Sequence, residues 1–247
     1  MSRLPRPPTI GRMKTTASRL VSLLLCLTLA GCGGGSAATS TLPSNLRGLP
    51  NLGATCFVNA ALQVIAHSPT LRARAAANWP QLGLEAFFQA YDSGQPQALL
   101  TALQGVVGAL RASAGYASCA GAGSLASLWD NGLAADPPGL ALGAYSVTDP
   151  AQIPQQLAQG QREFLMAVAQ VGGTVTGGPL DYASLASPQQ LQALVYNTGG
   201  HYVAYLSQAG SWYALDDAQV SAVTPQALAA LPIGLGVGFE LAVYSSP

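Results

Sequence analysis

The spacing of apolar residues changes once along this 247-residue chain, and that change limits the fold more than any other feature. From Cys56 the spacing is helical: Ala60, Ala61, Val64 and Ile65 share one stripe, with Thr55 as N-cap and Ser68-Pro69 as the stop. A second helix is expected over Leu82 to Ala90. A third is expected over Pro96 to Arg111, where Leu99, Leu100, Leu103, Val107 and Leu110 recur and Pro96 suits the first turn. Residues 112–154 are rich in Gly and small residues and read mostly as loops, with a short helix near Ser124 to Trp129. Another helix is predicted from Gln161 to Gln170, stopped by Gly172-Gly173. From Leu191 the pattern becomes strand-like. Leu191 to Tyr196, Tyr202 to Leu206, Trp212 to Leu215 and Phe239 to Tyr244 are short aromatic and β-branched runs. Ser207-Gln-Ala-Gly-Ser211 reads as a hairpin connection, and an interrupted helix, Pro225 to Ala230, precedes the last run. Helices first and an antiparallel sheet second define an α+β fold.

The opening residues have a separate character. Arg3, Arg6, Arg12, Lys14 and Arg19 precede a short apolar run from Leu20 to Leu29, then Ala30-Gly31-Cys32. A basic start, a short apolar stretch and small residues mark a secretory signal. The run falls well short of the roughly 20 residues a membrane span needs. Small residues directly before a cysteine resemble a bacterial lipobox, which implies that Cys32 carries lipid after cleavage. The alternatives are a plain signal peptide or an N-terminal anchor, and Met13 is an alternative start. The expected organisation is a signal over 1–31, a flexible linker over 32–43 and one folded domain over 44–247. Gly33 after the cysteine resembles the outer-membrane sorting pattern, so the expected place is the bacterial cell envelope, lipid-anchored at the outer membrane.

Cys32 to Pro247 holds five Arg, no Lys and ten acidic residues. Phosphate binding needs clustered positive charge, so nucleic acid is not an expected partner. No CxxC occurs, and neither a structural metal nor a cofactor is expected. Cys26 leaves with the signal and Cys32 would be acylated, so Cys56 and Cys119 remain, as two free thiols or one bridge.

Three positions can carry chemistry. Cys56 opens its helix, where unpaired backbone donors and the positive end of the dipole stabilise a thiolate. A buried cysteine opening a core helix is equally compatible with that position alone. His201 lies in Gly199-Gly-His-Tyr-Val-Ala-Tyr205, with two glycines clearing space around its ring. Asp216 and Asp217 end the hairpin partner of the strand that His201 begins, so a carboxylate can lie beside the imidazole and orient it. His67, the other histidine, is eleven residues along the helix from Cys56. At 1.5 Å per residue that is roughly 16 Å, so it reads as structural.

Gly48-Leu-Pro-Asn-Leu-Gly-Ala-Thr-Cys-Phe-Val-Asn-Ala-Ala-Leu-Gln63 resembles the cysteine box of the ubiquitin-specific protease family. Gly200-His-Tyr-Val-Ala-Tyr205 with Trp212-Tyr-Ala-Leu-Asp-Asp217 resembles its histidine box, and Gly238-Phe-Glu-Leu-Ala-Val-Tyr244 its closing strand. The resemblance implies a papain-like cysteine protease fold, with a helical lobe carrying the nucleophile and a sheet carrying His and Asp. It implies Cys56 as nucleophile, His201 as base, Asp216 as orienting acid and Asn51 as oxyanion donor. Asp217 stays open as a sharer of the Asp216 role. Gln161-Arg-Glu-Phe-Leu165 resembles the segment between the boxes, but Gly160 stands where the family has an aspartate. Only 37 residues separate Glu163 from His201, too few for the family's fingers region. The expected activity is a deubiquitinase-like cysteine-type peptidase, monomeric, acting on a protein or peptide such as ubiquitin or another Gly-Gly-like tail. Two other functions compete: a papain-like envelope peptidase or amidase with a non-ubiquitin substrate, and a non-catalytic envelope binding module.

Overall fold

The computed structural model describes residues 42–112, 128–129, 142–147, 149–166, 169–171, 174–176, 181–185, 190–234 and 237–245. Four helices come first: α1 (Cys56–Ala66), α2 (Pro69–Asn78), α3 (Leu84–Ser93) and α4 (Pro96–Ala112), with a 3-10 turn at Pro80–Leu82. All eleven residues of α1 are buried. A helix covered all round must be apolar nearly all round. The exceptions, Asn59 and Gln63, are therefore costly unless bonded.

The second half builds a seven-stranded sheet. In chain order its strands are β1 (Tyr145–Val147), β2 (Glu163–Met166), β5 (Leu191–Thr198), β6 (Tyr202–Gln208), β7 (Ser211–Asp216), β8 (Gln219–Val223) and β9 (Val237–Tyr244). They lie in the order β1-β2-β9-β5-β6-β7-β8, antiparallel except for the β1–β2 pair. β3 (Ala169–Val171) and β4 (Thr174–Thr176) form a separate two-stranded ribbon. Two short helices, α5 (Ile153–Ala158) and α6 (Pro225–Ala229), and 3-10 turns at Pro150–Gln152 and Tyr182–Ser184 lie between the strands. Strand alternation divides the core. Val195, Ala204, Leu206, Leu215 and Leu241 pack with the helices, while Leu194, Tyr196, Tyr205, Trp212 and Phe239 form a second cluster with Ile153 and Leu228. The fold is α+β, with a helical N-terminal region and an antiparallel C-terminal sheet.

Several local expectations are corrected. The segment from Gln161 to Gln170 is not a helix; β2 and β3 lie there. Phe164 pairs with Ala242 and Tyr145, and Leu165 with Leu241 and Ser146, and each side chain is buried in a different cluster. A short apolar run covered on both faces has no period that separates strand from helix. Ser68-Pro69 ends α1 but also begins α2, with the Ser68 hydroxyl accepting from Leu71 N. Thr55 occupies the N-cap of α1 without capping it by its side chain. Its hydroxyl turns back to the preceding loop, as described below. β1 and the first two residues of α5 lie where loops were expected, and β8 is an added strand between the third run and the Pro225 helix. The segment 124–127 and Cys119 lie outside the described residues.

The hairpin expected at 207–211 is present with a two-residue turn. Gln208 pairs with Ser211, and Ala209 and Gly210 take φ of 50° and 80°. Two left-handed residues give the turn whose twist matches that of the flanking strands.

His67 begins the exit from α1. Its Nδ1 donates to the Gln63 carbonyl at 2.8 Å, and its ring meets Tyr91 edge-on. Burial lowers its pKa below the ordinary 6.5, outweighing bonds to the Gln63 and Asn45 backbone that act the other way. The folded state thus disfavours the proton. The stability this site supports is complete above the unfolded pKa and is lost as pH falls through that value toward the folded one. Urea denaturation of wild type and His67→Asn between about pH 7.5 and about pH 5 checks this. Wild type should lose more stability over that interval; parallel losses would contradict it.

Candidate active site

The chain reaches Cys56 through a tight turn built on one carboxamide. Asn51 Oδ1 accepts from Gly53 N and Thr55 N, both at 3.1 Å, and from the Thr55 hydroxyl at 3.3 Å. Leu52 N donates to Thr55 Oγ1 at 2.9 Å. This local use of the hydroxyl is why it does not cap α1. Gly53 and Ala54 take φ of 89° and 52°. Since every group on one side of Asn51 is a donor to its oxygen, its NH2 is fixed facing the other way.

That NH2 meets Asp217. Asn51 Nδ2 donates to Asp217 Oδ2 at 2.9 Å, and Asn59 Nδ2 donates to Asp217 Oδ1 at 2.7 Å. One carboxylate therefore grips the residue five before Cys56 and the residue three after it. The backbone joins in, with Leu49 N donating to Asp217 O at 2.7 Å. Asp217 adopts φ of 48°, a conformation that aspartate tolerates better than most residues, at the turn between β7 and β8. Beside it, a Cβ at Gly48 would collide with the Ala218 carbonyl, so that position has room only for glycine.

His201 stands just before β6. Asn197 Oδ1 accepts from Gly199 N and Gly200 N, and Thr198 N donates to His201 O, closing the loop. Gly199 and Gly200 have φ of 94° and 144°, and a Cβ at Gly199 would press on Val237. Ala204 pairs with Leu215, which brings the start of β6 beside the end of β7. There His201 Nε2 lies 2.6 Å from Asp216 Oδ1. An ionised carboxylate only accepts, so in this pair the ring proton sits on Nε2 and the neutral imidazole keeps its lone pair on Nδ1.

Atoms of His201, Asp216 and Asp217 that could ligate a metal lie within 4.8 Å of one another. Their hydrogen bonds already commit them: Asp216 to the imidazole and Asp217 to two carboxamides. Cys56 opens α1 and is 5% exposed, whereas the side chains of His201 and Asp216 are 35% and 51% exposed. The structure thus joins Asn51 to Asp217, and His201 to Asp216, on two adjacent residues of one strand end. What sequence reasoning missed is the division of labour: Asp217 does not share the imidazole but holds the cysteine turn. Asn59 was also missed. Its signal was a polar residue inside an otherwise apolar helical face.

No protein-family model matches the chain. A stretch of 32 residues is 62% identical to Ubiquitin C-terminal hydrolase 22 of Arabidopsis thaliana, covering 13% of this chain and 6% of that protein's length. Among solved structures, the SAGA DUB module of Ubp8, Sgf11, Sus1 and Sgf73 bound to ubiquitin aldehyde aligns with a TM-score of 0.49 and 10% identity, over 82% of this chain and 70% of that one. A second structure of the SAGA Ubp8/Sgf11/Sus1/Sgf73 DUB module aligns with a TM-score of 0.40 and 14% identity, over 84% of this chain and 70% of that one.

Removing the Asp217 carboxylate should cost stability, because hydrogen bonds to charged groups contribute about 1.5–3 kcal/mol each. Asp217→Ala is expected to destabilise the protein by about 2–3 kcal/mol in urea denaturation, while Asp216→Ala, whose partner is half-exposed, should cost less than about 1 kcal/mol. Equal losses would contradict the clamp.

Proposed function

We propose that this chain is a thiol-dependent hydrolase of peptide or isopeptide bonds, deubiquitinase-like in its chemistry, with Cys56 as nucleophile. The observation that carries the reading is the pair of carboxamides on Asp217. They hold both sides of Cys56 against the strand end whose preceding residue, Asp216, pairs with His201.

In this mechanism His201 takes the thiol proton on Nδ1, the nitrogen left free by Asp216. The sulfur attacks the carbonyl carbon and forms a tetrahedral oxyanion. Asn51 Nδ2 has two hydrogens, one given to Asp217, and the second is available to that oxygen together with the Cys56 N–H. His201 then protonates the leaving amine, and water attacks the thioester with His201 again as base, releasing acid and thiol. The low exposure of Cys56 and the glycines at 53, 199 and 200 favour a slender substrate, such as an extended Gly-Gly tail. The 32-residue stretch shared with a protein named as a ubiquitin hydrolase makes a ubiquitin-type tail the first substrate to test. Lipid anchoring through Cys32 at the cell envelope belongs to the same proposal.

Turnover of fluorogenic peptides ending in Gly-Gly or in bulky residues tests the reading. Gly-Gly peptides should be cleaved faster. Cys56→Ala and His201→Ala should lower kcat by about 10⁴-fold or more, and Asn51→Ala by about 100-fold. Equal rates for both peptides would sink the specificity, and turnover that survives Cys56→Ala would sink the mechanism. Anchoring predicts palmitate incorporation that Cys32→Ser abolishes; label retained in that variant would exclude it.

A further inference from the structure

We propose that Arg111 is a positioning residue for this chemistry, fixing from the last turn of α4 the Leu52–Gly53 and Gly53–Ala54 peptide planes of the loop that leads to the nucleophile. The inference rests on Cys56 being the nucleophile. Arg111 Nη2 donates to Leu52 O at 2.7 Å and to Gly53 O at 2.9 Å. Two hydrogens on one nitrogen thus satisfy two consecutive carbonyls. Among the described residues Arg111 meets no carboxylate, so its charge is directed at this loop.

The bonding of the loop is nearly complete. Leu52 N goes to the Thr55 hydroxyl, and Gly53 N and Thr55 N go to Asn51. The carbonyls of Leu52 and Gly53 go to Arg111. Thr55 O accepts from Asn59 N at 2.8 Å. From Leu52 to Cys56, the N–H groups left without an acceptor among the described residues are those of Ala54 and Cys56. The Ala54 N–H shares its plane with the Gly53 carbonyl that Arg111 holds, whereas the Cys56 N–H shares its plane with the Thr55 carbonyl that Asn59 N holds.

The loop needs such restraint. A left-handed alanine is unfavourable by roughly 1–2 kcal/mol, so Ala54 at φ 52° persists only where its neighbours hold it. In a trans peptide the C=O and N–H point in opposite directions, so holding the Gly53 carbonyl also aims the Ala54 N–H. Without the guanidinium that plane can rotate, and the turn that holds the Asn51 carboxamide through Gly53 N and Thr55 N loses its fixed shape, so the Asn51 donor is no longer aimed. A lysine would not substitute, because the two hydrogens of Nη2 lie fixed in the guanidinium plane, whereas those of an ammonium rotate freely.

Full-length wild type, Arg111→Ala, Arg111→Lys and, as control, Arg72→Ala would be compared on a fluorogenic Gly-Gly peptide, with iodoacetamide alkylation of Cys56 in parallel. Arg111→Ala should lower kcat at least about tenfold while KM stays within about twofold. Cys56 alkylation, which develops no oxyanion, should be unchanged. Millimolar guanidinium should restore part of kcat to Arg111→Ala and nothing to Cys56→Ala. Arg111→Lys, which keeps the stem and serves if the alanine variant does not fold, should stay well below wild type. Arg72→Ala, whose side chain pairs with Asp92, should keep wild-type kcat. Wild-type kcat in both Arg111 variants would overturn the proposal. So would a loss that alkylation shares and guanidinium does not relieve, since that marks general damage to the fold. A wild-type protein that never turns the peptide over would instead overturn the Cys56 reading, and this inference with it.

Discussion

The carboxylate of Asp217 ties together two parts of the chain that would otherwise meet only through apolar packing. Its two oxygens take one carboxamide from each side of Cys56, and its own carbonyl takes Leu49 N. Packing of α1 on the sheet fixes the distance between the lobes but is tolerant of small slips. Directional bonds to a charged group are not. The left-handed backbone at Asp217 and the glycine at 48 follow from this close approach. Asn59 and Gln63 are tolerated in a fully buried helix for the same reason, since both donate to the β7–β8 turn, to Asp217 Oδ1 and Asp217 O respectively.

The sheet then supplies what the helix cannot. Antiparallel pairing of β6 with β7 sets the start of one strand beside the end of the next, which brings His201 to Asp216 without any long-range search. Because Asp216 and Asp217 are adjacent, successive side chains serve different partners. One lies against the imidazole and the other holds the turn that leads to Cys56. Arg111 adds a third support from the far end of the helical region. In the proposed mechanism, substrate would meet donors that are already aimed, which leaves little reorganisation to the reaction.

Much of this was legible in the chain. The helical stripes of α1 and α4, the hairpin at 207–211 and the four main strand runs are strong periodic signals, and the structure places all of them within a few residues. The His201–Asp216 contact follows from hairpin geometry alone. What was not legible has physical causes. Phe164 to Met166 is apolar without a period, so only the pairing of β2 with β1 and β9 makes it a strand. β8 lies at the sheet edge with mostly exposed side chains, which removes the alternation that marks a half-buried strand. Arg111 closes a helix, where a cation is favourable on general grounds, and nothing in its sequence neighbourhood announces the two carbonyls it binds.

The central claim is that Cys56 attacks carbonyl carbon with His201 as its base. The most direct measurement is labelling with an electrophile on a ubiquitin carboxyl-terminal tail, with the modified residue located by peptide mass spectrometry. The account predicts one adduct, on Cys56, that His201→Ala suppresses strongly while generic thiol reagents still react. Labelling spread over other residues, or an adduct at Cys56 that forms as fast without His201, would contradict it.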